Sequence, residues 1–164
     1  MSYLLMQTDF GGTSAAMIGV AKIVDPNLRI FQLTNTVPKF DVVTAGNNIC
    51  DVMTYWPTGT VFVSVVDPGV GTERKACVAE TGNGYYVVTP DNGILDIIDR
   101  KYGIKALREI DQRVNRYKGN EWSNNSDIFH GRDIFAYCGA RLASGTISYE
   151  EVGPQYPKDQ MVTL

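Results

Sequence analysis

Residues 61–74 read VFVSVVDPGVGTER. Four valines, a phenylalanine and a single serine precede Asp67 without a break. A short, β-branched apolar run of this kind forms a strand covered on both faces, as in the middle of a parallel sheet flanked by helices. The run ends in Asp67-Pro68-Gly69, with Gly71 following. An ordinary turn needs one or two such residues, and this loop uses three small or rigid ones, which bring backbone close to something. Arg74 follows Asp67 by seven positions, just before the next apolar run.

Outward from this strand, short apolar runs alternate with stretches of helical period. Residues 3–8 read as a buried strand and 14–24 as a helix stopped by Asp25-Pro26. Residues 29–33 read as a second strand. Asp41 caps a helix running to about Tyr55, which Pro57 closes. Residues 75–80 and 85–89 flank Gly82-Asn83-Gly84 and read as a hairpin. Residues 92–102 look helical, 105–110 look like a strand, and 132–143 form a last helix. The alternation predicts an α/β layered sandwich with a mainly parallel central sheet flanked by helices, spanning residues 1–145. Residues 146–164, TISYEEVGPQYPKDQMVTL, are polar and punctuated by proline. They read as a linker toward a second domain absent from the chain, ending in a strand-like MVTL.

Length and composition narrow the class. The chain has 164 residues, 44% hydrophobic and 20% charged, with net charge −3. One domain can bury a full core at this length, and a disordered tail, a fibre and a coiled coil are excluded. No basic excess points to nucleic acid or an anionic membrane. Cys50, Cys77 and Cys138 are odd in number and widely spaced, so neither a disulfide framework nor a zinc cage is indicated and the reduced cytoplasm is the expected compartment. The first residues lack the form of a signal peptide, and no apolar run approaches a membrane span. Asn124-Asn125-Ser126 has the form of a glycosylation sequon, which carries no weight in a chain read as cytoplasmic.

Open α/β sheets bind ligands at the carboxyl ends of their strands. Three expected strands run there into an acid: Asp9 in LLMQTDFGG, Asp67 in VSVVDPGVG and Asp91 in YVVTPDNG. Asp91 reads as a turn former or helix cap. The single histidine, His130 in FHGRDIFA, is either a satisfied structural residue or a functional one, with Asp133 beside it as a candidate helix cap. Asp67, Arg74 and His130 together can form a carboxylate held ionised by a guanidinium, with an imidazole as partner, which suits polarising a water molecule.

The segments TDFGG (8–12), PKFDV (38–42), VVDPGVGTER (65–74), TPDNG (89–93) and FHGRDIFA (129–136) occur in the order and approximate spacing of one family. The sequence resembles the S-adenosyl-L-methionine hydroxide adenosyltransferases, relatives of the fluorinases and chlorinases, over essentially the whole chain but only their amino-terminal domain. The resemblance implies cleavage of S-adenosylmethionine by water to adenosine and methionine, with no metal or organic cofactor. It implies an α/β sandwich followed in relatives by a β-barrel, and homotrimers with active sites between subunits. Residue by residue, it gives water handling to Asp67, Arg74 and His130. Asp9 becomes the ribose-binding carboxylate and Phe40 an aromatic wall near the ribose. Gly131 stands where the fluorinating relative has a halide-binding serine. Asp67 itself argues against halide transfer, because a carboxylate repels an anionic nucleophile. The loop after TDFG reads GGTSAAM, shorter than in family members, with Ser14 or nothing where they usually carry an acid toward the methionine part.

Two other functions stay open on sequence grounds. One is a catalytically impaired adenosine- or S-adenosylmethionine-binding or assembly module. The other is a metal-dependent hydrolase ligated by Asp9, Asp67, Asp91 and His130, which lacks the close HxH or HxxxD spacing of common ligand sets.

Overall fold

The computed structural model describes residues 1–119 and 129–164, so the Asn124 sequon lies outside the described residues. Seven strands form one sheet: β1 (Leu4–Thr8), β2 (Ile30–Thr34), β3 (Val61–Val65), β4 (Ala76–Thr81), β5 (Tyr86–Pro90), β6 (Ile104–Glu109) and β7 (Gln155–Tyr156). Their order across the sheet is β2-β1-β3-β5-β4-β6-β7. The first four neighbours pair in parallel and the β4, β6 and β7 pairings are antiparallel. Five strands therefore point one way and only β4 and β7 oppose them, which makes the α/β sheet mixed but mainly parallel in direction. The β4–β5 hairpin turns at Gly82-Asn83-Gly84 as the sequence predicts.

Helices cover both faces. They are α1 (Ala15–Val24), α2 (Val42–Val52), α3 (Ile94–Tyr102) and α4 (Tyr137–Ser144). The period-2 alternation of the strands divides the core between them. Leu4, Met6, Val63 and Val65 pack toward α1 and α4, in a cluster with Met17, Phe135 and Cys138. Leu5, Phe62 and Val66 pack toward α2 and α3, with Ile49, Leu95 and Ile98. Each such side chain contributes about 1.5–3 kcal/mol by leaving water. Gly139 of α4 lets that helix sit close on the sheet, because a Cβ there would lie 2.6 Å from Val63 Cγ2. The buried polar residue Gln7 is fully used: its amide donates to Ala45 O and Ser64 Oγ at 3.0 and 3.1 Å and accepts from Asn48 at 3.0 Å.

Asp41 caps α2 as expected, its Oδ1 accepting from Thr44 N at 3.0 Å. A 3₁₀ turn, Met53–Tyr55, finishes that helix. All three cysteines are free and buried. Burial pushes the Cys77 and Cys138 thiols up to about 12, so neither is a thiolate at neutral pH.

Three local expectations need correction. The final helix begins not as α-helix but as a π-helical turn, Gly131–Ala136, which continues into α4. Asp133 does not cap it; its carboxylate is fully buried and takes the Arg132 guanidinium, with Arg132 Nε at 2.6 Å. The end of the chain is not a strand at MVTL. The strand lies earlier, at Gln155–Tyr156, between Pro154 and Pro157, and pairs with β6. Residues 146–164 lie against the domain, with Ile147, Tyr149, Val152, Tyr156 and Met161 buried. Among the described residues no helix is long and apolar enough to cross a membrane.

Candidate active site

The topology places the site. From β1 the chain passes through α1 to β2 on one side, and then through α2 to β3 on the other. The carboxyl ends of β1 and β3 thus flank a crevice where the strand order reverses, the usual binding position in such sheets. Asp9 follows β1 and Asp67 follows β3.

Asp67 and Arg74 meet across their loop. Arg74 Nε donates to Asp67 Oδ1 at 3.0 Å, and Arg74 Nη2 donates to Oδ2. The pair is largely dry, with side-chain exposures of 5% for Asp67 and 9% for Arg74. A forked contact of this kind fixes orientation as well as charge. Arg74 Nη2 also lies 2.8 Å from His130 Nδ1. A guanidinium only donates, so in this contact Nδ1 is the acceptor. The ring of Phe135, from the π-helical turn, lies 5.3 Å below the guanidinium carbon. The structure therefore brings together three residues that are 7 and 56 positions apart in sequence.

Asp67 opens onto a cleft of about 210 Å³. Asp9, Phe10, Phe40, Val65 and Gly131 line it with Asp67, and Lys39 and Val70 complete the rim. Asp9 is 7% exposed, and its Oδ2 accepts from Phe40 N at 2.8 Å. That bond holds Phe40 at φ +63°, an uncommon left-handed backbone for a bulky residue, costing about 1–2 kcal/mol. The Phe40 ring is half exposed. Because the ring buries little and its backbone is strained, Phe40→Gly is expected to leave stability within about 1 kcal/mol of wild type. The same change takes the ring out of the cleft wall, and a thermal melt checks the stability.

Gly131 is needed for close approach. A Cβ there would lie 3.1 Å from both Phe10 Cζ and Val65 Cγ1, so a side chain would need these two to give by a few tenths of an ångström. Across Gly131 and Phe10 lies a second hollow of about 220 Å³, lined also by Thr13, Ser14, Met17 and Arg132. Ser14 Oγ donates to Gln32 Oε1 at 2.9 Å, tying this loop to β2.

Asp91 stands apart from Asp9 and Asp67. Its carboxylate accepts from Tyr156 Oη at 2.9 Å and from Val162 N at 3.1 Å. Burial pushes its pKa above the ordinary carboxylate value. It does not cap α3, whose N-cap position is Gly93. Among the described residues no group of three or more His, Cys, Asp or Glu could hold a metal ion, so the four-ligand set weighed from the sequence does not assemble. Phe10 is a cleft residue that motif reading passed over, although it sits inside TDFGG; Lys39 and Val70, likewise inside recognised segments, were also missed.

Comparison with known proteins bears on this geometry. Residues 4–153 match the model of the SAM hydroxide adenosyltransferase N-terminal domain. The chain belongs to this family. It is 35% identical over 149 residues to a protein of Methanocaldococcus jannaschii named (R)-S-adenosyl-L-methionine hydrolase, covering 87% of this chain and 53% of that one. A Salinispora tropica protein of the same name is 35% identical over 167 residues, covering 99% of this chain and 60% of that one. The chain thus spans little more than half the length of these relatives. Among solved structures, an uncharacterized conserved protein from Thermotoga maritima matches with TM-score 0.89 and 38% identity, over 98% of this chain and 61% of that one.

Proposed function

We propose that this SAM hydroxide adenosyltransferase domain hydrolyses S-adenosyl-L-methionine to adenosine and L-methionine. The observation that carries the reading is a buried carboxylate, Asp67, pinned by Arg74 and opening on a cleft that also presents Asp9 and Phe40.

The chemistry follows from the substrate. Its sulfonium leaves as a neutral thioether, so the leaving group needs no acid. Water oxygen forms a bond to the 5′ carbon while the C5′–S bond breaks and its electron pair goes to sulfur. The water's proton must go to a base as the new bond forms. A carboxylate has about four lone-pair sites, and Arg74 occupies two of those on Asp67, so two remain and one of them can take that water. Arg74 and His130 act through Asp67, fixing its direction. Gly131 leaves room beside the attacking water. Asp9 Oδ1, which makes no hydrogen bond among the described residues, is available to a ribose hydroxyl, and the Phe40 ring forms a wall of the same pocket. The names of the relatives support this substrate, and the ordering of acid, cation and imidazole supports this use of water.

The cleft is smaller than the roughly 300–1,000 Å³ typical of drug-sized ligand sites. Phe10, Phe40 and Val70 are exposed around it. A neighbouring subunit of a homotrimer, or further chain of the kind the relatives carry, completes the enclosure in this proposal. Incubation with S-adenosylmethionine and chromatography is expected to yield adenosine and methionine in equal amounts, unchanged by a chelator. No adenosine, with calorimetry still showing that adenosine binds, supports the binding-module reading instead. Loss of activity on chelation supports the metal-dependent one.

A further inference from the structure

Within the 67–74 loop the Asp67–Arg74 fork joins the two ends, and the Thr72 hydroxyl donates to Gly69 O and accepts from Arg74 N at 3.5 Å. Residues 70–73 are exposed, and its internal backbone bonds are Val70 N to Asp67 O at 3.3 Å and Thr72 N to Gly69 O at 3.0 Å. From outside the loop, both ends are held by one dipeptide from the next crossover. Asn92 Nδ2 donates to the carbonyl of Val66, immediately before Asp67, at 2.8 Å. Asp91 N donates to the carbonyl of Lys75, immediately after Arg74, at 2.9 Å. Among the described residues Asn92 Oδ1 is buried without a hydrogen-bond partner, and the side chain's bond there is the one to Val66 O.

The dipeptide is itself held from the far end of the chain. The carboxylate of Asp91, 2% exposed, receives Tyr156 Oη and Val162 N. The Lys75 ammonium lies 5.3 Å over the Tyr156 ring. Gly93 has φ +111°, a backbone that favours glycine, and a Cβ there would sit 2.5 Å from Leu164 Cδ2, so the Leu164 side chain packs directly on it. Leu164 N then donates to Asp96 Oδ2 at 3.0 Å.

We propose that Asp91 and Asn92 are positioning residues for the Asp67/Arg74 pair, and that residues 155–164 are the clasp that holds them. Among the described residues, the hydrogen bonds of the Asp67 and Arg74 side chains go to each other and to His130, not to the clasp. It acts by fixing the two carbonyls from which their loop hangs. This extends the hydrolase reading to residues outside the cleft, and its effect on rate rests on that reading. Its effect on the ion pair does not.

The test uses Asn92→Ala and Tyr156→Phe, with Val20→Ala in the buried face of α1 as a control for stability lost elsewhere. The Arg74 Nε–H resonance in a ¹⁵N-labelled chain reports the fork to Asp67 whether or not any substrate turns over. Its hydrogen exchange is expected to quicken about tenfold or more in both clasp variants, as for a local opening, and to stay near wild type in Val20→Ala. With S-adenosylmethionine, kcat is expected to fall about tenfold or more in the clasp variants while KM moves less than twofold, since a misplaced group costs rate rather than affinity. Unchanged Arg74 exchange in the clasp variants, or equal quickening in Val20→Ala, overturns the proposal. A wild-type chain that releases no adenosine overturns the hydrolase reading alone, and the resonance still decides the clasp.

Discussion

Asp67→Asn is expected to lower kcat for S-adenosylmethionine hydrolysis by about 100- to 10,000-fold, the range a positioned general base contributes, with little change in KM. The substitution keeps the shape of the side chain and removes its charge. One asparagine oxygen can still accept from Arg74 Nε, but the amide nitrogen then faces Arg74 Nη2, donor against donor. The water loses its acceptor and the fork loses one prong. Substrate binding is expected to persist, because Asp9, Phe10 and Phe40 line the cleft from other segments. Steady-state kinetics with adenosine detection checks both halves. An unchanged kcat removes Asp67 from the chemistry.

Arg74→Ala is expected to damage stability as well as rate. It leaves Asp67, 5% exposed, without its counter-charge, and breaking one partner out of a buried pair costs about 3–5 kcal/mol. It also removes the donor to His130 Nδ1 and the contact over Phe135. Arg74→Lys restores the charge but not the fork, since an ammonium cannot match both carboxylate oxygens and the imidazole in one plane. The lysine variant is therefore expected to recover more stability than kcat. Urea unfolding beside kinetics separates the two effects, and equal recovery of both contradicts the orienting role assigned to the guanidinium.

The sheet was legible because its signals are local. The run from Val61 to Val66 announces a covered strand by composition alone, and Asp41 announces α2 by a side chain that bonds three residues on. The candidate site was legible for a related reason: Asp67 and Arg74 share one loop, and the strand before it fixes where that loop must open. His130 stood in the sequence only as a candidate partner, since nothing near it shows that its ring meets a guanidinium 56 residues earlier. The far end of the chain gave the weakest signal. Pro154 and Pro157 mark a polar, irregular stretch, and a two-residue strand between them has no detectable period. The role of Asp91 was hidden likewise, because its partners Tyr156 and Val162 lie 65 and 71 residues away. The π-helical turn after His130 carries no composition of its own; it follows from packing Phe135 and Ile134 into the core while Gly131 stays against Val65.

Hydrolysis in water enriched in ¹⁸O tests most directly the central step, attack of water on the 5′ carbon. Mass spectrometry of the products is expected to find one ¹⁸O in the 5′-hydroxyl of adenosine and none in methionine. Unlabelled adenosine, label in methionine, or no adenosine at all contradicts attack by water at that carbon.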